Sequence, residues 1–451
     1  MLFAFLRLGS CCSVIASSLW GQRYGVRLNT GLRVGFPELT SDICVVRSWS
    51  RSNEPKLPAH SMGTTFAAVG PFLLLFALLY AAFGAASPFL PALMQGRGIP
   101  AEQIGLVLGL ATATRLVSAS IAGRVADRLH ALRATLAACT VGTALAALGY
   151  LSATGVWALL AISLLHALAL APTTNLADAL AVVAAKREGF EYGWARGAGS
   201  AAFIVGSIAA GFAISEFGIW IVVVLQAMLM LAIPFAARLV PPVARSATDT
   251  ISRDGLPTLL RLAVFRRVVV VAALVLGSHA LHDTFSIIRW TNAGISSEAA
   301  GMLWSLSVAG EVVMFFVLGP WLLARLQPAH AIAIAAAVAS MRWFISALTV
   351  DLGALVLIQP LHGVTFALLH LACMRILAIS VPLGLAATAQ AIYGTVGIGV
   401  ATAILTIVSG LLYSWLGAKA FIAMSVLCLM ALPVAFSLAN ASGPIHSEPE
   451  A

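Results

Sequence analysis

Charged residues are scarce in this chain: Asp, Glu, Lys and Arg together make up 10% of its 451 residues, against about 25% in a typical soluble domain. Hydrophobic residues make up 61%, an apolar excess that one water-soluble core does not need. The composition excludes a disordered chain, a soluble enzyme and a disulfide scaffold. It predicts an all-α membrane protein, because the apolar runs are continuous for about 20 residues, whereas barrel strands alternate over about 10.

The sequence also lacks the motifs of catalysis and of cofactor binding. Its six cysteines show neither metal nor disulfide spacing, and no phosphate-binding glycine loop or nucleophile elbow is present. We therefore predict no cofactor, no metal and no enzymatic activity, and ATP-driven transport would require a separate subunit. The net charge of +9 belongs to loops that meet an anionic leaflet, and nothing indicates nucleic-acid binding.

The N-terminal segment differs from the rest of the chain. Residues 1–61 are rich in Arg and Ser and poor in acidic residues, and Met62 stands directly before a strong apolar run. We predict that residues 1–61 are a poorly ordered extension. It is either an over-long gene model or a targeting segment.

Twelve apolar runs of membrane-spanning length follow, in two sets of six. The longest polar stretch of this core separates the sets, which predicts a first bundle at 62–240, a cytoplasmic linker at 241–267, a second bundle at 268–440 and a cytoplasmic tail at 441–451. The runs lie at 69–94, 104–125, 132–152, 156–184, 195–215, 218–239, 268–294, 299–322, 331–350, 352–377, 384–412 and 417–438.

The orientation follows from the basic residues of the short loops. Alternate loops hold twelve of them, and the opposite loops hold only Arg97 and Lys419. Because basic loops remain in the cytoplasm, we predict an inner-membrane protein with both ends of the core inside. Glycines at helical spacing, which let helices approach closely, predict packing contacts at Gly105, Gly109, Gly193, Gly197, Gly206 and Gly211.

The loop between spans two and three carries a family signature. Residues Gly123-Arg-Val-Ala-Asp127-Arg128 resemble the G-x-x-A-D-R motif of the major facilitator superfamily, although His130 and Ala131 stand where that motif continues with Gly and Arg. The resemblance implies two six-helix bundles built from inverted three-helix repeats, with Gly123, Asp127 and Arg128 in a gating loop. Asp127 is also expected to cap the N-terminus of span three.

Within the superfamily, four segments resemble the phenylpropionate permease group of proton-coupled transporters. They are residues 192–200, 303–312, 342–343 and 359–370. The resemblance implies proton-coupled uptake of a small aromatic carboxylate such as 3-phenylpropionate by a monomer. A nucleoside or sugar symporter and a multidrug exporter share much of this pattern and remain alternatives, as does a membrane enzyme or sensor from a different class.

Ionisable residues within the spans are the first candidates for proton coupling, because each costs roughly 2.5–3.5 kcal/mol at mid-membrane depth on insertion scales. Glu311, alone in the middle of span eight, is the leading one, with a neutral hydrogen bond to another span as the alternative. Asp178 in span four is a second, although a structural ion pair would also explain it. Asn175 shares its helical face and is a candidate substrate ligand.

Span seven has the densest polar face. His279 and Asp283 are four residues apart, and an imidazole beside a carboxylate can exchange a proton near neutral pH. They are proton candidates, and His282 and Arg289 on the same broad face are substrate candidates. A satisfied hydrogen-bond cluster between helices is the alternative.

Spans two, nine, ten and eleven supply the remaining candidates. Arg115 or Arg289 can hold a substrate carboxylate through two hydrogen bonds, whereas Arg342 interrupts its apolar span and must pair, snorkel or face water. Aromatic members of a helical stripe can instead be packing residues. The other substrate candidates are Gln359, His362, Phe366, Gln390 and Tyr393.

Overall fold

The computed structural model describes residues 62–241 and 255–441. The predictions for residues 1–61, for most of the linker (242–254) and for the tail (442–451) lie outside the described residues. Within these two described ranges the chain is helical and contains no strand. The predicted all-α class is confirmed.

The first six spans contain seven helices, because span one is broken at Ser87–Phe89 before Pro91. The helices are α1 (Met62–Ala86), α2 (Leu90–Gln95), α3 (Ala101–Arg128), α4 (Leu132–Ser152), α5 (Gly155–Glu188), α6 (Tyr192–Phe217) and α7 (Ile221–Leu239).

The last six spans are more interrupted. A short α8 (Gly255–Arg261) precedes α9 (Ala263–Val275), α10 (His279–Asn292), α11 (Ser297–Val313), α12 (Gly319–Leu323), α13 (Pro328–Leu348), α14 (Leu352–Ile358), α15 (Leu369–Ser380), α16 (Ala386–Ile392), α17 (Ala401–Leu416) and α18 (Ala420–Ala441). Wider π-helical turns interrupt spans eight, ten and eleven at Met314–Leu318, Gly363–Leu368 and Tyr393–Val400.

Eleven apolar helical stretches of the described residues are long enough to cross a membrane. The last of them, Ala386–Ala439, has 54 residues and would measure about 80 Å at 1.5 Å per residue, far more than a bilayer core of about 30 Å. The chain turns within it at Gly417, where φ is +54°. The eleven stretches therefore supply twelve crossings, as the apolar runs predict.

The first six spans meet the last six most extensively in two helix pairs, α3 with α17 and α6 with α11. Glycines make both approaches possible. A Cβ atom on Gly105 would lie 2.6 Å from the Cα atom of Gly410, and one on Gly211 would lie 2.6 Å from the carbonyl oxygen of Ser297. Backbone therefore packs on backbone at these crossings.

The predicted packing role is confirmed at Gly105, Gly109, Gly206 and Gly211, where a Cβ atom would meet another helix. It is wrong at Gly193 and Gly197, where a Cβ atom would meet no described atom within 4 Å. Those two lie in the first two turns of α6, and nothing among the described residues crosses the helix there closely enough to require a glycine.

The loop after span two also differs from expectation. Asp127 lies in the last turn of α3 rather than ahead of α4, whose N-cap residue is Ala131 and has no side-chain cap. The predicted capping by Asp127 is wrong, because α3 continues through Arg128. His130 then takes a left-handed conformation with φ +49°, at the position where the superfamily motif has glycine.

Gly105→Ala tests the close crossing of α3 and α17. The added methyl group meets backbone, so we expect a loss of about 1–3 kcal/mol in the free energy of unfolding. Gly123→Ala in the same helix is the control, because its Cβ atom meets nothing within 4 Å and alanine should gain about 0.5–1 kcal/mol there. Thermal unfolding in detergent measures both, and equal shifts of the same sign would contradict the packing role.

His130→Gly should stabilise the protein by about 1 kcal/mol, because the left-handed conformation costs a residue with a β-carbon roughly 1–2 kcal/mol. His130→Ala keeps the β-carbon and should bring no such gain. Unfolding midpoints of the two variants decide the matter. If alanine raises the stability more than glycine does, the left-handed backbone conformation of residue 130 is not what destabilises the protein.

Candidate functional site

Arg342 is the most deeply buried cation of the candidate site. It lies in α13 with no exposed surface, and its Nη2 atom donates to the Gln359 Oε1 atom at 2.7 Å. Its Nη1 atom donates to the His362 Nδ1 atom at 3.1 Å. The guanidinium also lies over the Trp343 ring, 4.6 Å from its centroid. A buried charge persists when such partners replace its hydration.

Span eight joins this cluster through two side chains. The Ser307 hydroxyl donates to the Gln359 Oε1 atom at 2.7 Å, so that one oxygen accepts two hydrogen bonds. Glu311, 8% exposed, places its Oε2 atom 3.7 Å from the His362 Nε2 atom. Because the His362 Nδ1 atom accepts from Arg342, a neutral His362 carries its proton on Nε2, facing the Glu311 carboxylate.

Two glycines let spans eight and ten approach closely at this point. A Cβ atom on Gly310 would lie 2.8 Å from the Cα atom of Pro360, and one on Gly363 would lie 2.7 Å from the carbonyl carbon of Gly310. Gly310 precedes Glu311, and Gly363 follows His362 and begins a π-helical turn. The absence of both side chains is what brings Glu311 and His362 together.

Span seven contributes His282, which faces Arg342. The Arg342 Nη2 atom lies 3.5 Å from the His282 Nε2 atom, and the His282 Nδ1 atom lies 2.6 Å from the Ser286 hydroxyl. The His282 ring stacks on the Trp304 indole with 5.3 Å between centroids and 9° between planes. His282 thereby links the arginine cluster to span eight.

His279 and Asp283 do not form the pair expected from their spacing. The His279 Nδ1 atom lies 3.0 Å from the Val275 carbonyl oxygen, and its Nε2 atom lies 3.0 Å from the Thr365 hydroxyl. Both ring nitrogens are therefore occupied by other partners. Since a carbonyl only accepts, Nδ1 donates to it and Nε2 accepts from the hydroxyl.

Asp283 instead borders a cavity of about 80 Å³ between the two sets of six spans. Arg115 of span two borders the same cavity, as does Trp304. Within residues 62–241 and 255–441, no ion pair joins Asp283 to Arg115. The cavity thus places one carboxylate and one guanidinium, from opposite halves of the chain, beside the same space.

Asp178 has a cationic partner of the kind that the structural alternative requires. Its Oδ1 atom accepts a hydrogen bond of 2.7 Å from the Tyr192 hydroxyl and lies 3.9 Å from an Arg196 guanidinium nitrogen. Arg196 also donates to the Tyr80 hydroxyl. The carboxylate therefore ties span four to span five.

Arg289 lies apart from the buried cluster. Its guanidinium donates to the carbonyl oxygens of Ala347 and Thr349 at 3.4 and 3.2 Å, at the C-terminal end of α13. A cation there satisfies carbonyls that the helix leaves open. As a substrate ligand, Arg289 would have to leave these carbonyls.

Two of the remaining substrate candidates contact other side chains of the cluster or its surroundings, and two form no hydrogen bond with a described residue. Phe366 stacks on the His362 ring at 4.9 Å between centroids, and the Tyr393 hydroxyl lies 3.2 Å from the His370 Nδ1 atom. Asn175 and Gln390 are half-buried, and no described residue forms a hydrogen bond with either side chain.

The three gating-loop candidates, Gly123, Asp127 and Arg128, lie together in the last two turns of α3.

Arg342 and Ser307 are central to the cluster, although neither stood among the substrate or proton candidates. A signal for Arg342 was present, since it is the one charged residue within the apolar run of α13. Ser307 had a weaker signal, its position four residues before Glu311 on the same helical face.

This arrangement, with a charged cluster buried inside twelve crossings, defines a helical integral membrane protein. The sequence profile of the MFS_1-like family matches residues 72–423. The chain belongs to that family, and the predicted major facilitator fold is confirmed.

The chain is 32% identical to the probable 3-phenylpropionic acid transporter of Escherichia coli (strain K12) over 377 residues, which cover 83% of this chain and 96% of that protein. It also resembles the crystal structure of a mutant of the nucleoside transporter NupG, with a TM-score of 0.72, 17% identity and coverage of 83% and 98%. A bacterial homologue of the human lysosomal transporter Spinster matches with a TM-score of 0.64, 14% identity and coverage of 87% and 100%.

Gln359→Leu should destabilise the protein more than Ser307→Ala does. The first change removes an acceptor from the buried guanidinium of Arg342, which costs about 3–5 kcal/mol when a buried charge loses its partner. The second removes one neutral hydrogen bond and should cost about 1 kcal/mol. Chemical unfolding in detergent gives both values, and the reverse order would show that the guanidinium does not depend on Gln359.

Proposed function

We propose that this protein is a secondary transporter that couples protons to the uptake of a small organic carboxylate, with aromatic acids such as 3-phenylpropionate as the leading substrates. The observation that carries the proposal is the buried cluster in which Arg342 contacts His362 and His362 faces Glu311. The 32% identity to a probable 3-phenylpropionic acid transporter supports the substrate class. Likeness to the nucleoside transporter is one of fold at 17% identity and does not favour nucleosides.

The cluster has the electrostatics that an anion symporter needs. With Glu311 ionised, its negative charge balances the guanidinium of Arg342 within one buried network. A proton on Glu311 removes that balance and leaves a net positive charge inside the membrane, where an unpaired charge is costly. A carboxylate that enters beside the cluster restores neutrality, so proton and substrate are favoured together.

Glu311 with His362 is the proton site in this proposal, and Asp283 is a second acidic group open to solvent-borne protons through its cavity. Asp178 and His279 are less suited, because their polar atoms already bond to Tyr192, Val275 and Thr365. Movement would occur by alternating access, with residues 62–240 and 268–440 rocking as two bundles about the segment 241–267. The charge asymmetry of the loops supports cytoplasmic termini, and a monomer is sufficient for this mechanism.

Uptake into proteoliposomes that contain the full chain tests the proposal. An inward proton gradient should drive accumulation of radiolabelled 3-phenylpropionate, and a protonophore should abolish it. Glu311→Gln should lower gradient-driven accumulation well below that of the parent protein and leave counterflow exchange measurable, because exchange needs no net proton movement. Glu216→Gln, at an exposed glutamate at the end of α6, is the matched control and should behave as the parent protein.

Two results would refute the proposal. Accumulation that persists with the protonophore would remove proton coupling, and a Glu311→Gln protein with undiminished gradient-driven uptake would remove Glu311 as the proton site. If 3-phenylpropionate is not exchanged by the folded parent protein, the aromatic-acid class is wrong.

A further inference from the structure

The cavity beside Asp283 contains polar atoms that have no partner. Of the residues that line it, Asp283 Oδ1, Trp304 Nε1 and Thr402 Oγ1 are each buried without a hydrogen bond to any described atom. Trp304 and Thr402 are both only 2% exposed. Buried polar groups in native proteins are nearly always bonded, so three unpartnered ones on residues that line one cavity indicate a site built for a polar ligand.

The three atoms differ in whether they donate or accept a hydrogen bond. An ionised Asp283 oxygen only accepts, the Trp304 indole N–H only donates, and the Thr402 hydroxyl can do either. A ligand that satisfies all of them offers an acceptor and a donor at once. The cavity holds about 80 Å³, far below the roughly 300–1,000 Å³ of drug-sized pockets, so it takes a head group rather than a whole aromatic molecule.

The charges that border the cavity restrict the head group further. Arg115 and Asp283 together carry no net charge, and a substrate carboxylate alone would leave the buried site with a net charge of minus one. One added proton makes the site neutral. Two carboxyl groups that share a buried site commonly hold a single proton between them.

We propose that this cavity binds the carboxyl group of the substrate together with one proton from solvent, held between a substrate oxygen and the Asp283 Oδ1 atom. Arg115 and the Trp304 indole N–H donate to the other substrate oxygen. This inference rests on the proposed function and adds to it a proton that enters with the substrate, distinct from the proton on Glu311. The shared proton satisfies Asp283, and the substrate itself satisfies the donors.

Other charged or titratable groups also act on Asp283. Arg115 faces it across the cavity from span two, the charge of Arg342 reaches it from span nine, and Glu311 interacts with it from span eight. His279 and His282 share its helix, and each has a nitrogen bonded to another residue. Because Glu311 also titrates, a test must separate its proton from that of Asp283.

Isothermal titration calorimetry on the full chain in detergent makes this separation. The heat of 3-phenylpropionate binding, measured in two buffers of different ionisation enthalpy, gives the number of protons taken up. The parent protein should take up two protons per ligand, one on Glu311 and one between the ligand and Asp283, and its Kd should rise by up to about a hundredfold per pH unit above neutrality. Asp283→Asn, whose carboxamide donates as a protonated acid would, should bind with one proton fewer than the parent protein and with a Kd that rises only about tenfold per pH unit.

Glu311→Gln is the matched variant and should still take up one proton on binding, the one that the ligand shares with Asp283. The neutral ligand 3-phenylpropionamide provides a test that needs no variant. Its N–H group donates to Asp283 and its carbonyl accepts from Arg115, so it should bind the parent protein without proton uptake at any pH.

Binding of the acid without proton uptake, or an Asp283→Asn protein that takes up protons as the parent does, would overturn the inference. Gradient-driven transport with Glu311 as its proton site would stand in that case. If Asp283→Asn does not fold, the two ligands decide the question in the parent protein. The inference is overturned if binding of the amide takes up as many protons as binding of the acid. If the folded parent protein binds neither ligand, both this inference and the aromatic-acid proposal fall.

Discussion

The burial of one guanidinium determines how spans seven to ten fit together. Arg342 has no exposed surface and belongs to an apolar span, where lipid supplies no hydrogen-bond acceptor, so its Nη N–H groups need acceptors within the protein. Gln359 and His362 supply them from span ten, and His282 supplies another from span seven. Each acceptor is in turn positioned by a further side chain, Ser307, Glu311 or Ser286. The polar network is thus a consequence of one charge that cannot be solvated otherwise.

Small residues are the second condition for this arrangement. Helices in lipid gain no hydrophobic stabilisation from one another and must approach closely to gain dispersion contacts. Gly310 and Gly363 allow this between spans eight and ten, and Gly105 and Gly410 allow it between the two halves of the chain. The same residue type therefore serves two purposes, the assembly of the charged cluster and the junction of the halves.

The sequence predicted the architecture well and the contacts poorly, for identifiable reasons. Hydropathy reports where a helix crosses the membrane, so all twelve crossings were foreseeable, as was the burial of Glu311. Spacing along one helix reports a shared face and not the partner on another helix. For that reason His279 and Asp283 were paired by their spacing, whereas His279 bonds to Thr365 of span ten and Asp283 faces the cavity. Arg342 was visible as a charge in an apolar run, but its three acceptors come from other spans and have no signature in its own surroundings.

The three π-helical turns at Met314–Leu318, Gly363–Leu368 and Tyr393–Val400 have a consequence for motion. Each holds one residue more than an α-helical turn requires. Narrowing such a turn would rotate the helix beyond it by about 100°, one residue of an α-helix. Glu311 and His362 lie just before the first two turns, and His370 and Arg375 follow the second. Such a rotation would change which side chains of spans eight and ten oppose one another and would turn the part of each helix beyond the π-turn, whereas the described residues of spans one to six contain no such turn. The helices of the second half of the chain can accordingly rotate part of their length relative to their neighbours.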